Sequence, residues 1–348
     1  PPYIPAPHDY RQAETVKPAE VEFKNGDETI RPAGFATVRS LNGEWRFSGV
    51  VKSEKVFPAD ADLASGFMKP EFDDSKWDTI PVPQSWYWKY PASRDQAKPH
   101  TKGLYRRVFR LSAEELRGRR VILKFGCVGY EAKVFLNGKE VGDHHGDFTP
   151  FEIDATEAAK PGDNVLALRV ISSLGPTFGR KEKISHVYGT QWSLNSYKAG
   201  IWQEVTLSLE PELRIQKLFV NPRLADHSIG VDYTVVNHTG RSFRGTLEGV
   251  VTDAMRAAAN LPAGSDSASV VLKPGVNTGS IRVKLEKPQL WSVDRPYLYY
   301  CNLLLKEGGK TVSAAAARFG FREFHARDGR FYLNGEEIYL FGENIASI

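Results

Sequence analysis

Two stretches of the 348-residue chain concentrate aromatic and hydrogen-bonding side chains. Residues 86–101 carry Trp86, Tyr87, Trp88, Tyr90, Arg94, Asp95 and His100, and residues 172–199 carry Arg180, His186, Tyr188, Gln191, Trp192 and Asn195. Flat apolar rings mixed with guanidinium, imidazole, amide and carboxylate groups are the combination that lines small-molecule sites. The same residues equally suit loops that pack against a neighbouring domain. The pair His144-His145 is the most metal-like feature. Adjacent residues on an extended strand point to opposite faces, so a shared ion is disfavoured and no metal is expected. No Gly-x-Ser-x-Gly elbow, Walker loop, His-Glu-x-x-His or Cys-x-x-Cys pattern occurs, so none of those chemistries is expected.

The elements that would position these loops read as strands. From Leu41 onward, short runs rich in Val, Ile, Phe and Tyr alternate with turn signals at Asn42-Gly43, Asn137-Gly138, Gly162-Asp163 and Gly308-Gly309. Residues 104–111, 120–125, 132–136, 164–171 and 204–209 have the spacing of a sandwich or jelly roll. Helical periodicity is nearly absent, apart from one turn at 113–116 that Ser112 is suited to cap. A boundary falls near Glu210-Pro211. Beyond it a second series of roughly seven strands closes near Ala317, the size of an immunoglobulin-like sandwich without a Cys-Trp-Cys core. Upstream, residues 1–35 hold Pro1, Pro2, Pro5, Pro7, Pro18 and Pro32 and read as an extended arm over a domain surface, outside any core. Downstream, Asp328-Gly329 and Asn334-Gly335 mark hairpin turns. The run Ile338-Tyr339-Leu340-Phe341 is continuously apolar, as in a strand buried on both faces of a parallel sheet or barrel.

Composition narrows the function classes. The formal net charge is +4, with Lys and Arg interspersed among Asp and Glu, so there is no basic stripe for nucleic acid. No apolar run approaches the roughly eighteen residues of a membrane-spanning helix. Cys127 and Cys301 fall in different predicted domains and are expected as buried free thiols. The chain starts Pro1-Pro2-Tyr3 without Met and shows no signal segment, as a processed form or a trimmed chain would.

Several motifs occur in a fixed order. Leu41-Asn42-Gly43-Glu44-Trp45-Arg46-Phe47 is followed by Phe72-Asp73-Asp74-Ser75-Lys76-Trp77, Ile80-Pro81-Val82-Pro83-Gln84-Ser85-Trp86 and Gly103-Leu104-Tyr105-Arg106-Arg107. Then come Val134-Phe135-Leu136-Asn137-Gly138, Phe148-Thr149-Pro150-Phe151, Gly200-Ile201-Trp202-Gln203-Glu204-Val205 and Leu290-Trp291-Ser292-Val293-Asp294-Arg295-Pro296-Tyr297. Phe319-Gly320-Phe321-Arg322, Phe331-Tyr332-Leu333-Asn334-Gly335 and Leu340-Phe341-Gly342-Glu343-Asn344 complete the series. In this order, from about residue 35 to the end, they resemble the amino-terminal region of glycoside hydrolase family 2, the family of β-galactosidases, β-glucuronidases and β-mannosidases.

The resemblance implies an all-β chain. Its expected parts are the arm 1–35, a jelly-roll β-sandwich over 36–210, an immunoglobulin-like β-sandwich over 211–318, and a short hairpin with the first strand of a truncated (β/α)8 barrel over 319–348. It implies a retaining β-glycosidase whose carboxylate pair lies on later barrel strands, so no catalytic residue is expected here and the chain alone should not hydrolyse a glycoside. Trp86, Tyr87, Trp88, Arg94, Asp95, His100, Arg180, His186, Tyr188, Gln191 and Trp192 become candidates for loops lining the barrel mouth. Asn344 matches the family's Gly-x-Asn motif, with Glu343 in place of a small apolar residue. Ser172 and Ser173 stand where the galactosidase branch has an Asp, which argues against a monovalent-ion site. The expected partners are a β-linked oligosaccharide or glycoside and the missing barrel, in the same or another polypeptide. No cofactor, nucleic acid or membrane is expected, and the oligomeric state stays open. A periplasmic or secreted location is expected. Without its barrel, residues 325–348 should be disordered or docked on another polypeptide. The alternatives are a stand-alone carbohydrate-binding module and a structural assembly fragment.

Overall fold

The computed structural model describes residues 22–25, 28–51, 63–89, 100–172, 199–253 and 262–342. The chain divides into two units, Val38–Glu210 and Pro1–Thr37 with Pro211–Ile348. Both are built of strands, and no helix among the described residues is long and apolar enough to cross a membrane.

In the first unit a six-stranded sheet, ordered Lys139–His145, Glu131–Leu136, Gly162–Ile171, His100–Leu111, Gly43–Val51 and Asp78–Val82, faces a four-stranded one. The second sheet runs Phe151–Asp154, Arg119–Phe125, Val205–Pro211 and Thr37–Ser40. Strand alternation sends Trp45, Phe47, Tyr105, Leu123, Leu168 and Leu207 into one core between the sheets. The outer face of the larger sheet is covered as well: Leu104, Phe135 and Ala167 pack under Phe67 and Met68. Its central strands are therefore buried on both faces. The turn at 113–116 is capped as expected, with Glu115 N donating to Ser112 Oγ and Ser112 N to Glu115 Oε2.

The turn chemistry explains the hairpins. Asn137 and Gly138 (φ 53° and 86°), Gly308 and Gly309 (57° and 86°), Asp328 and Gly329 (52° and 73°), and Asn334 and Gly335 (54° and 87°) all have both central residues in the left-handed region. That is the type I′ geometry whose twist matches the flanking strands. Asn42-Gly43 departs from this expectation. The strands on either side of it belong to different sheets. Asn42 instead turns a corner, its side-chain oxygen accepting from Val205 N at 2.9 Å.

In the second unit Leu213–Arg223, Ser228–Asn237 and Gly275–Lys284 form a three-stranded sheet. It packs on the four-stranded sheet Pro262–Leu272, Phe243–Asp253, Tyr299–Glu307 and Lys310–Phe319, around Ile229, Val231, Leu247, Leu303 and Phe321. Phe23 and Ile30, in the stretch expected to lie outside any core, are 3% and 2% exposed against Val250 and Leu304 of this unit.

A small meander follows, Phe324–Arg327, Arg330–Leu333 and Glu336–Ile338. It is pinned to the sandwich by Asn334, whose side chain donates to Trp291 O at 2.9 Å and accepts from Glu323 N at 3.1 Å. The expected barrel strand at 338–341 takes another form. Ile338 closes the meander, and Tyr339, Leu340 and Phe341 follow outside any strand, 74%, 58% and 96% exposed. An extended segment becomes a ladder only where a second strand bonds its edge, and none among the described residues does so here.

Candidate functional site

The segment leading into the first candidate loop is fixed by backbone pairing. Gln84 N donates to Ile201 O and Trp86 N to Ala199 O. Trp86 then opens a single helical turn, Trp86–Lys89. Trp86 and Tyr87, candidates for a loop lining the barrel mouth, are both 0% exposed. Small residues make the difference. A Cβ at Gly103 would lie 2.7 Å from the Trp86 ring, and one at Gly200 would lie 2.3 Å from Tyr105 Oη. The two glycines leave the room in which Trp86 stacks near Phe47 and Tyr105, at centroid distances of 6.0 and 6.5 Å. Spacing alone could not reveal that vacancy. Trp88, 59% exposed, is the ring of this turn that reaches the surface.

Around Tyr87 the structure gathers groups that sequence reasoning did not select. Burial pushes the Tyr87 phenol above its ordinary pKa, the nearby Ser172 hydroxyl and Trp86 work the other way, and the Asp147 charge raises it further. The phenol therefore stays neutral throughout the physiological range. Ser172 and Asp147 are 2% and 5% exposed. Trp202 Nε1 donates to Asp147 O at 3.0 Å, and the Trp202 ring meets the edge of the half-exposed Phe148 at 5.8 Å. A hint existed in the sequence. Trp202 lies in one of the ordered motifs, and Asp147 directly precedes another, Phe148-Thr149-Pro150-Phe151.

The two histidines diverge. His144 stacks on Phe151 at 4.1 Å, and its Nε2 lies 3.1 Å from Thr149 Oγ1. His145 turns to Tyr130, Glu131 and Asp143. Burial lowers the His144 pKa, with the neighbouring His145 acting the same way and Asp143 opposing. His100 opens the strand His100–Leu111, opposite Val51. Arg94, Asp95, Arg180, His186, Tyr188, Gln191, Trp192, Glu343 and Asn344 lie outside the described residues. Of the groups placed together, Tyr87, Ser172 and Asp147 are buried, and Phe148 with part of Trp202 reaches the surface.

The second unit carries a groove of about 500 Å³. One wall is Leu290, Val293 and Arg295, and the other is Leu333 and Ile338 of the meander, with Glu336 beside them. Leu290 and Val293 are 43% and 69% exposed.

Residues 38–211 match the model for "Glycosyl hydrolases family 2, sugar binding domain", and residues 213–322 match that for "Glycosyl hydrolases family 2". The chain belongs to glycosyl hydrolase family 2. Among family relatives, a beta-galactosidase of Vibrio cholerae is 28% identical over 333 residues, and one of Priestia megaterium is 26% identical over 340. Each alignment covers 88% of this chain, and the chain spans only 30% of each relative's length. The crystal structure of a Bacteroides uniformis beta-glucuronidase superposes with a TM-score of 0.69 at 21% identity, over 86% of this chain and 34% of that one. That likeness is one of fold.

Proposed function

We propose that these residues are the non-catalytic amino-terminal portion of a retaining β-glycosidase, β-galactosidase-like, whose barrel supplies the chemistry. The observation carrying this reading is the order of the two family modules, 38–211 followed directly by 213–322, in a chain that spans 30% of beta-galactosidase relatives. Retention needs one carboxylic acid to protonate the leaving oxygen and a carboxylate about 5 Å away to attack the anomeric carbon. The buried cluster around Tyr87 offers hydroxyls, rings and one carboxylate, which suits support of a sugar-binding wall. The substrate is a β-linked glycoside, and the compartment is periplasmic or secreted, where such glycans are met. A jelly-roll topology for the first sandwich belongs to the same reading.

The test is steady-state hydrolysis of p-nitrophenyl β-galactoside and β-glucuronide by this chain and by its full reading frame. Turnover is expected from the second alone. Turnover by this chain would remove the proposal, and a signal peptide in the reading frame would support the compartment.

The exposed Trp88 favours one alternative, a stand-alone carbohydrate-binding module. Calorimetric titration with β-linked oligosaccharides decides it: binding abolished by Trp88→Ala would favour the module.

A further inference from the structure

The outer face of the second sandwich's four-stranded sheet carries a layer drawn from far upstream. Phe23 and Ile30 are register partners on the hairpin Phe23–Asn25 and Glu28–Ile30, so they share one face. They lie against Val250 and Leu304, with Phe35 and Ala314 packed beside them. Polar contacts hold both strands. Asn25 Nδ2 donates to Glu248 Oε2 at 2.9 Å, and Glu248 is itself paired with Lys306 Nζ at 2.6 Å. Glu28 accepts from Thr311 Oγ1 at 2.8 Å and from Thr311 N at 3.4 Å.

What the hairpin does not share is as informative. Among the described residues its strands form a sheet of two, bonded to each other. The sheet beneath runs Pro262–Leu272, Phe243–Asp253, Tyr299–Glu307, Lys310–Phe319 and keeps its registers without it. Among the described residues the layer is attached through side chains, and lifting it breaks no interstrand ladder. We propose that residues 22–35 are a detachable strap, and that the apolar face under them is a peptide-docking site of the second sandwich. The site fits a short hairpin presenting two opposed apolar side chains and a carboxylate two positions before the second. This holds whether or not the glycosidase reading does.

Hydrogen exchange on the full chain, read by mass spectrometry, separates strap from sheet. Segments within 22–30 are expected to exchange at least about ten-fold faster than Phe243–Asp253 and Tyr299–Glu307, since attachment by side chains opens locally. A single common opening rate would overturn the proposal. A labelled peptide of residues 22–37 gives an independent measurement. It is expected to bind a full chain carrying Phe23→Asp and Ile30→Asp at least about ten-fold more tightly than the unaltered chain, where the resident strap competes at high effective concentration. Equal affinities, or no binding to a variant whose sheet amides stay protected, would show that no docking site exists. Should the variant not fold, the exchange rates of the unaltered chain decide.

Discussion

Arg106 holds the covering loop of the first sandwich by spreading one guanidinium over several acceptors. It is 3% exposed, pairs with Asp74 Oδ2 at 2.7 Å, and donates to the carbonyls of Phe67, Lys69 and Phe72. Removing the cation leaves the Asp74 carboxylate with only Arg46 Nε, 3.8 Å away, and three carbonyls without this donor. Arg106→Met is therefore expected to lower the unfolding free energy by about 3–5 kcal/mol in urea titrations. Arg106→Lys should recover little of it, because a compact ammonium does not span that fork. His144 is a pH-dependent counterpart. Its pKa is lowered in the folded chain, chiefly by burial, so its stabilising share is present above the unfolded value and is lost as pH falls through the folded one. His144→Phe preserves the stack on Phe151 and removes the titration. Stability measured from pH 7.5 to 5 should decline less steeply in that variant, and an unchanged slope would refute the assignment.

At the scale of elements, the type I′ turns differ in what their Asn does besides turning. Asn137 accepts from Val165 N at 2.9 Å and donates to Ala158 O and Asn164 Oδ1, both at 2.8 Å. Asn137→Ala combines left-handed strain with lost part-buried bonds and should cost about 2–4 kcal/mol by urea denaturation. Asn137→Gly should cost less, since it relieves the strain alone, and the order Ala worse than Gly is the test. The last element behaves oppositely. Among the described residues Tyr339, Leu340 and Phe341 have no ladder partner and are largely exposed, so their amides should exchange at nearly unstructured rates. An exposed apolar run of this kind promotes association. Leu340→Asp with Phe341→Asp should reduce concentration-dependent self-association in light scattering.

For the molecule as a whole, two units with separate cores need not unfold together. Each carries one buried free thiol, Cys127 in the first and Cys301 in the second. Cys301 is 0% exposed, and burial pushes its pKa up to about 12, which leaves almost no thiolate at neutral pH. In native buffer neither thiol should react promptly with a disulfide reagent. In rising urea each should react as its own unit opens, with Cys127→Ala and Cys301→Ala assigning the phases. A fast thiol in native protein would contradict the burial of its site.

Local chemistry was enough, from the sequence by itself, for the strand-rich class, the hairpin turns at 137–138, 308–309, 328–329 and 334–335, the capped turn after Ser112 and the ordered family motifs. Each depends on backbone preference or alternation over a few neighbouring residues. What only the tertiary structure decided depends on residues distant in the chain. Trp86 and Tyr87 are interior because Gly103 and Gly200 leave space beside Tyr105. Asp147, Ser172 and Tyr87 became neighbours although they lie far apart in the chain. Phe23 and Ile30 joined a core more than two hundred residues downstream because the outer face at Val250 and Leu304 is apolar. The run 338–341 was apolar enough for a buried strand, yet burial requires a partner, and pattern alone does not supply one.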